Sequence, residues 1–315
     1  KLSNLLIAGQ ELFHGESDAV YESGLRSTRY QQTDSTLTRV NGQNQNCNVV
    51  CNPFYTVYRT LPHKDRLSML DMLRNGRPRR FRLNQTALDC LLNVHLSEAT
   101  RQTLIAGCSA LEWDEEKFRE HLAFRLPKLG PQQRKEITDA AAIAAYRAET
   151  DWPVIENLVC DDAAHYHKLT RRRMLCWVHE GRPYKKLLPV VPRHRQLLAG
   201  FLKRFWDYYR ELLAYKQSPS QAEHTRLEAA FDELCATQTG YEALDERIAK
   251  TRAKKQSLLL VLDYPELPLH NNASELGVRR RVRKRDVSFG PRTQAGKRAW
   301  DTFMTLAETT RKLGV

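Results

Sequence analysis

The spacing of apolar positions changes character several times along the chain. From Leu2 to about Ser23, Leu5, Leu6, Leu12, Phe13 and Val20 give a loose helical pattern, so the start is expected to be helical or irregular. Between Arg29 and Thr60 the texture turns β-branched and aromatic, with Thr33, Thr36, Thr38 and Val40, then Val49 and Val50, then Phe54, Tyr55, Val57 and Tyr58. Asn41-Gly42 and Asn52-Pro53 separate these runs, which predicts three consecutive antiparallel strands. His63 to Leu73 returns to helical spacing. Asn75 to Glu149 reads as two or three helices with one short strand near Phe81, broken at Gly76–Pro78 and Gly130-Pro131. Val154 to Cys160 is a short, largely apolar run ending in Asp161 and Asp162, which suits a buried strand, and Met174 to Val178 reads as another. From Arg193 to about Leu262 the chain predicts long helices divided at Ser218–Ser220. Two more helices start near Asn272 and Thr293.

Composition narrows the class. The 315 residues, 41% hydrophobic and 28% charged, describe a folded protein with a substantial core rather than a disordered one. A formal charge of +13 makes a polyanion the first partner to consider, because Lys and Arg gain free energy by releasing counterions from phosphates. Seven scattered cysteines do not form a secreted disulfide framework and point to a reducing cytosol. No apolar run approaches the roughly 20 residues of a membrane span. The chain begins at Lys1 without a methionine, so an upstream segment, including a site-reading domain, is left open.

Three acids then draw notice: Asp34 in the first β run, Asp161 at the end of a buried strand, and Glu275 at the start of a C-terminal helix. Phosphodiester chemistry needs such a set. Mg²⁺ prefers carboxylate oxygens, and two such ions stabilise both the attacking and the leaving oxygen of an in-line displacement. Each acid also has an ordinary explanation. Asp34 suits an exposed strand end, Asp161-Asp162 suits a helix cap, and Asn272-Ala-Ser-Glu275 has capping-box spacing.

The surroundings of the acids carry more. Leu267-Pro-Leu-His-Asn-Asn-Ala-Ser-Glu275, continuing through Arg279, Arg283-Lys284, Gly296 and Thr309, resembles the signature of the insertion-sequence-66 transposases, whose Asn-Asn-x-x-Glu holds the last acid of a DDE triad. Leu158-Val-Cys-Asp161 with Asp-Ala-Ala-His-Tyr166 resembles the family's second-acid segment, in a register that selects Asp161 over Asp162. Cys176-Trp-Val-His179 followed by Arg182 resembles its Cys-Trp-x-His motif, and Thr33-Asp34-Ser-Thr36 its first-acid segment. The long stretch between the first two acids, and His270 where an Asp often precedes the paired Asn, mark a divergent branch with an extra helical insertion. The resemblance implies a ribonuclease H-like α/β fold, a mixed sheet with surrounding helices and large helical insertions. It also implies catalysis and metal binding by Asp34, Asp161 and Glu275 with Mg²⁺ or Mn²⁺, as two ions. DNA would be the partner, as transposon ends and target, with a homo-oligomer assembled on it in the bacterial cytoplasm, associated with the nucleoid.

On this reading residues 1–28 are an N-terminal segment, 29–74 the first half of the core and 75–150 a helical insertion. Residues 151–188 are the second part of the core, 189–264 a second helical insertion and 265–315 the C-terminal helices. The run Arg279, Arg280, Arg281, Arg283, Lys284 and Arg285 puts six cations in seven residues and is expected to hold phosphates, together with Arg182 and His179. His179 is also suited to orienting a carboxylate. Cys176 and His179, with His165, His167, Cys47 or Cys51, offer zinc ligands without the paired spacing of a structural zinc site. No complete helix-turn-helix is recognisable. A non-catalytic DNA-binding relic and a ribonuclease H-like nuclease acting on RNA or hybrids are the alternatives.

Overall fold

The computed structural model describes residues 7–109 and 111–315, so Leu5 and Leu6 lie outside the described residues. The first helix, α1 (Glu11–Arg26), turns His14, Ser17, Tyr21 and Leu25 inward. Of the loose apolar pattern in this stretch, Leu12 is 89% and Phe13 45% exposed, Phe13 resting on Phe303 with ring centroids 5.5 Å apart. His14 on the inward side has its Nδ1 2.7 Å from the Thr302 hydroxyl.

Three strands follow as expected, β1 (Tyr30–Val40), β2 (Gln43–Cys51) and β3 (Thr56–Leu61), paired antiparallel. Val40 pairs with Gln43, so Asn41 and Gly42 alone make the first turn, both at positive φ (51° and 78°) as a tight hairpin of this twist requires. Between β3 and β4 (Asn157–Cys160) lie α2 (Arg66–Leu73), α3 (Gln85–Cys90), α4 (Glu98–Ala106), α5 (Glu115–Arg125) and α6 (Pro131–Arg147). That is more helices than the sequence suggested, and the short strand near Phe81 is only an isolated bridge from Phe81 to Trp113. The ring of Phe81 stacks on Phe118 at 4.9 Å.

A 3₁₀ turn (Ala164–Tyr166) leads into β5 (Arg172–Leu175). The strand expected over Met174–Val178 therefore stops at Leu175. Cys176 caps α7 (Trp177–Lys185), where Trp177 is fully buried and donates its Nε1–H to the Leu258 carbonyl at 2.9 Å. Helices α8 (Pro192–Gln217), α9 (Gln221–Cys235), α10 (Glu242–Arg252), α11 (Lys255–Leu258) and α12 (Leu260–Asp263) close around that indole. Phe205, Tyr208 and Phe231 surround it with ring centroids 5.3, 5.5 and 6.2 Å away. The chain ends in α13 (Asn272–Ser288) and α14 (Gln294–Leu313).

The five strands form one mixed sheet in the order β3-β2-β1-β4-β5, with β4 parallel to both β1 and β5. Period-two alternation divides its faces. Val50, Val57 and Leu158 enter one core with α2–α6, while Val49, Tyr58 and Val159 face the other side. α14 covers the β3 edge. Its Thr309, Thr305 and Asp301, one helical turn apart, accept the backbone N–H groups of Thr56, Tyr58 and Thr60 at 3.3, 3.1 and 2.6 Å. Side chains thereby satisfy a row of edge donors that would otherwise invite another strand. Among the described residues no helix is long and apolar enough to cross a membrane.

Candidate metal and nucleic-acid site

The parallel pairing of β1 with β4 aligns two of the three acids. Gln32 pairs with Val159, and two residues beyond each stand Asp34 and Asp161. Asp34 lies within β1 and Asp161 directly follows β4, so the parallel register directs both acids to the same face of neighbouring chain segments, which run about 5 Å apart where they pair. Asp34 shares that face with Val49 and Tyr58, its register partners across β2 and β3.

α13 lies on this face. Gly277 permits the approach: a Cβ there would stand 2.9 Å from Val49 Cγ1, and the Gly277 carbonyl accepts the Tyr58 hydroxyl at 3.1 Å. The start of α13 is tied down by Asn271, fully buried, whose Nδ2 donates to the Thr33 carbonyl at 2.8 Å. Ser274 donates back to the Asn271 side chain at 2.5 Å. One residue of the paired asparagines thus anchors the helix beside the residue preceding Asp34, and Glu275 in the first turn is carried to the acids. The capping-box alternative for Glu275 does not hold. The cap residue is Asn271 and no side-chain cap bond forms. The Glu275 carboxylate instead receives Arg182 Nη2 at 3.0 and 3.2 Å, with His179 Nδ1 3.4 Å away.

The electrostatics favour a cation. Asp34 accepts the Ser35 N–H at 2.7 Å and Asp161 the Ala163 N–H at 3.1 Å, and neither makes an ion pair among the described residues. Burial pushes the Asp34 carboxyl up to about 6. The Ser35 N–H opposes the shift, the charges of Asp161 and Glu275 add to it, and Lys64 draws it down. Two half-buried, uncompensated carboxylates in a chain with 50 Lys and Arg fit a hard divalent ion. Asp34, Asp161 and Glu275 would be its ligands, although their oxygens are not yet gathered within 4.8 Å of one another, as the Cys176, His179 and Glu275 ligand atoms are.

That second set fits zinc poorly. Burial raises the Cys176 thiol, against N–H groups of His179, Asn271 and Val178, and Arg182 already contacts His179 Nε2 at 2.6 Å as well as Glu275. No set with Cys47, Cys51, His165 or His167 forms among the described residues. His165 is held down at about 4, by burial and by Lys64 against the pull of Asp161, so its imidazole is neutral beside the acids.

The raised Asp34 value sets a pH dependence. An acid raised on folding contributes stability below its unfolded value of about 4, and that contribution is lost as pH rises through about 6. With chelator present, Asp34→Asn should melt above the wild type at pH 8, with the gap closing near pH 4. Mg²⁺ should then raise only the wild type. Thermal melts at the two pH values check this, and equal melting throughout would contradict it.

Asp162, the neighbour not selected, is fully committed. Lys254 lies 2.7 Å, Arg173 3.2 Å and His167 3.3 Å from its carboxylate. His167 first, then Lys254, hold it well below the usual carboxylate range. Lys254 also reaches buried Glu180 at 3.0 Å, which accepts from Thr251 at 2.6 Å and pairs with Arg247. None of this network was legible beforehand, because its members come from four separated segments.

The basic run needs correction. Arg281 is fully buried, 3.1 Å from Asp301, and donates to the Thr60 hydroxyl at 3.0 Å, so it is not available to a phosphate. Arg280 pairs with Glu308, Lys284 lies over the Trp300 ring at 5.1 Å, and Arg285 donates to the Leu37 carbonyl at 2.5 Å. A helix turns about 100° per residue, so contiguous cations cannot share one face. Arg279 and Arg283 remain, exposed, without an ion pair among the described residues, and on the helix face that begins with Glu275. Arg182, expected on nucleic acid, holds Glu275, and His179, read as orienting a phosphate or a carboxylate, lies against the same carboxylate.

Comparison with known proteins identifies a relative and a family. The chain is 30% identical over 301 residues to a curated protein described as "Uncharacterized protein y4jO", from Sinorhizobium fredii (strain NBRC 101917 / NGR234), covering 93% of this chain and 90% of that one. No solved structure matches it. The model described as "Transposase IS66 family" matches residues 139–299, a stretch that holds Asp161, Cys176, His179, Arg182 and Glu275 and begins after Asp34. With half the chain matched and the motif residues gathered at one place, the protein belongs to the IS66 family of transposases.

Proposed function

We propose that this chain is a DNA transposase that cleaves and joins DNA strands with divalent metal ions held by Asp34, Asp161 and Glu275. The observation that carries the reading is the parallel register of β1 and β4, which directs Asp34 in β1 and Asp161 just past β4 to one face, neither in an ion pair among the described residues, under the helix that brings Glu275. The strand order, three antiparallel strands then two parallel ones, supports a ribonuclease H-like core. Mg²⁺ or Mn²⁺, as two ions, would activate the attacking water or 3′-hydroxyl and stabilise the leaving oxygen.

The chain's own residues supply position. Asp34 presents its carboxylate from within β1 and Asp161 from the residue that follows β4. Asn271 fixes the start of α13, and His179 and Arg182 orient the Glu275 carboxylate. Arg279 and Arg283 extend from Glu275 along the exposed face, where they would hold the phosphates flanking the scissile one. Cleavage of labelled duplex DNA against an RNA–DNA hybrid, across a Mg²⁺ titration, tests the reading. Metal-dependent cutting of duplex supports it. Cutting confined to the hybrid would make the chain a ribonuclease, and DNA binding with no divalent dependence a relic.

A further inference from the structure

Between Gly181 and Trp206 the chain has seven Lys or Arg (Arg182, Lys185, Lys186, Arg193, Arg195, Lys203 and Arg204) and no Asp or Glu, in a protein with 37 acids among 315 residues. All seven are exposed. The segment is the second half of α7, the connection and the first half of α8. It adjoins the site through Arg182 on Glu275 and folds back upon itself, with the Tyr184 ring tilted against Phe201 at a centroid distance of 5.0 Å and the Lys185 ammonium 5.8 Å from the Trp206 ring centroid.

Internal pairing does not consume this charge. Arg195 spends its guanidinium on the Pro189 and Val190 carbonyls, at 3.1 and 3.2 Å, which shapes the turn into α8. Lys203 reaches Asp207 only at 3.5 Å while 81% exposed, and Asp207, the first acid along α8, is also held by Arg210. Lys186 and Arg193 have no ion pair or hydrogen bond through their charged groups among the described residues. The apolar side of α8 is fully occupied by Leu198, Phe201 and Phe205, so the cations spread over its outward face. From Arg193 to Arg204 the helix rises about 16 Å, a length over which duplex DNA carries roughly nine phosphates.

We infer that α7 and α8 form a second phosphate-binding surface, an arm that holds the DNA backbone flanking the cut. It is separate from the Arg279 and Arg283 face, and complementary to nucleic acid through charge and not base sequence. The inference rests on the proposed DNA transposase reading for its partner, and DNA binding measured in chelator separates the two. Binding of a short labelled duplex of arbitrary sequence is followed against salt for the wild type, for Lys186→Ala with Arg193→Ala, and for Lys117→Ala with Arg119→Ala on α5, which removes the same charge elsewhere.

The arm variant should bind more weakly by a similar factor on every sequence tested, with its salt slope reduced by about two. The α5 variant should keep the wild-type slope. Equal slopes for the wild type and the arm variant, or equal losses in the two variants, would overturn the arm. No binding by the wild type would overturn both readings, whereas an arm-dependent slope in a protein that never cuts DNA would sink only the catalytic one. Melting temperatures confirm that all three proteins are folded.

Discussion

Asp161→Asn is expected to lower metal-dependent DNA cleavage about 1000-fold or more, whereas Asp162→Asn should retain cleavage within about tenfold and lose stability instead. The two residues are adjacent, yet their surroundings are opposite. Asp161 is directed to the same face as Asp34 and makes no ion pair among the described residues, so its oxygens are free for a metal, and losing such an electrostatic contact at the reacting phosphate costs about 4 kcal/mol of activation free energy. Asp162 is surrounded by Lys254, Arg173 and His167. Its side chain is about one-third exposed, so the network is screened and its loss is worth about 1–2 kcal/mol. The sign with pH follows from its depressed value. The stabilisation is present above the unfolded carboxyl value of about 4 and disappears as pH falls through the lower folded one. Single-turnover cleavage and melts at neutral and acid pH separate the pair. A dead Asp162→Asn beside an active Asp161→Asn would reverse the assignment.

Arg281→Met should destabilise the fold by about 3–5 kcal/mol, the largest stability effect expected in the basic run, because it leaves Asp301 buried without its counter-charge. Asp301 also accepts the Thr60 N–H and hydroxyl, at 2.6 and 2.9 Å, so the loss spreads to the β3 edge and to the docking of α14. Urea unfolding of the two single variants and of the double variant with Asp301→Leu measures the coupling. The double variant should recover part of the loss and not all, since the Thr60 donors stay unpaired. A variant of wild-type stability that binds DNA poorly would return Arg281 to the phosphates.

Much of the fold was legible because local rules and the tertiary structure agree. Asn41-Gly42 between β-branched runs made the first hairpin, and the apolar run ending at Cys160 made β4. What was not legible depends on contacts across long separations. The inward face of α1 includes His14, which meets Thr302 far along the chain, and the loose pattern of Leu12 and Phe13 gave no sign of that contact. The β5 boundary shifted because Val178 and Trp177 read as a strand by composition, while Cys176 starts a helix that buries Trp177 among α8 and α9.

The candidate site divides in the same way. The three acids were identifiable from their motifs, and of the residues around them only His179 had its carboxylate-orienting role within reach of the sequence. Asn271 was visible only as part of a signature, although its bond to the Thr33 carbonyl links the last acid to the first. Arg182 carries charge that the sequence assigns to phosphate, and geometry places it on Glu275, whereas His179, its imidazole held below the usual value by burial, lies on that carboxylate in the orienting role already open to it. The run from Arg279 to Arg285 looked like one patch because sequence has no faces. Wound into α13, two of its cations stay outward and Arg281 becomes part of the core.

Cleavage and strand transfer of a labelled DNA carrying the element's own ends, in Mg²⁺ or Mn²⁺ against chelator, for the wild type and Glu275→Gln, tests the central claim most directly. The account predicts metal-dependent activity in the wild type and its loss in Glu275→Gln, with DNA binding retained. Equal metal-supported activity in the two proteins would contradict it and return Glu275 to a structural role at the start of α13.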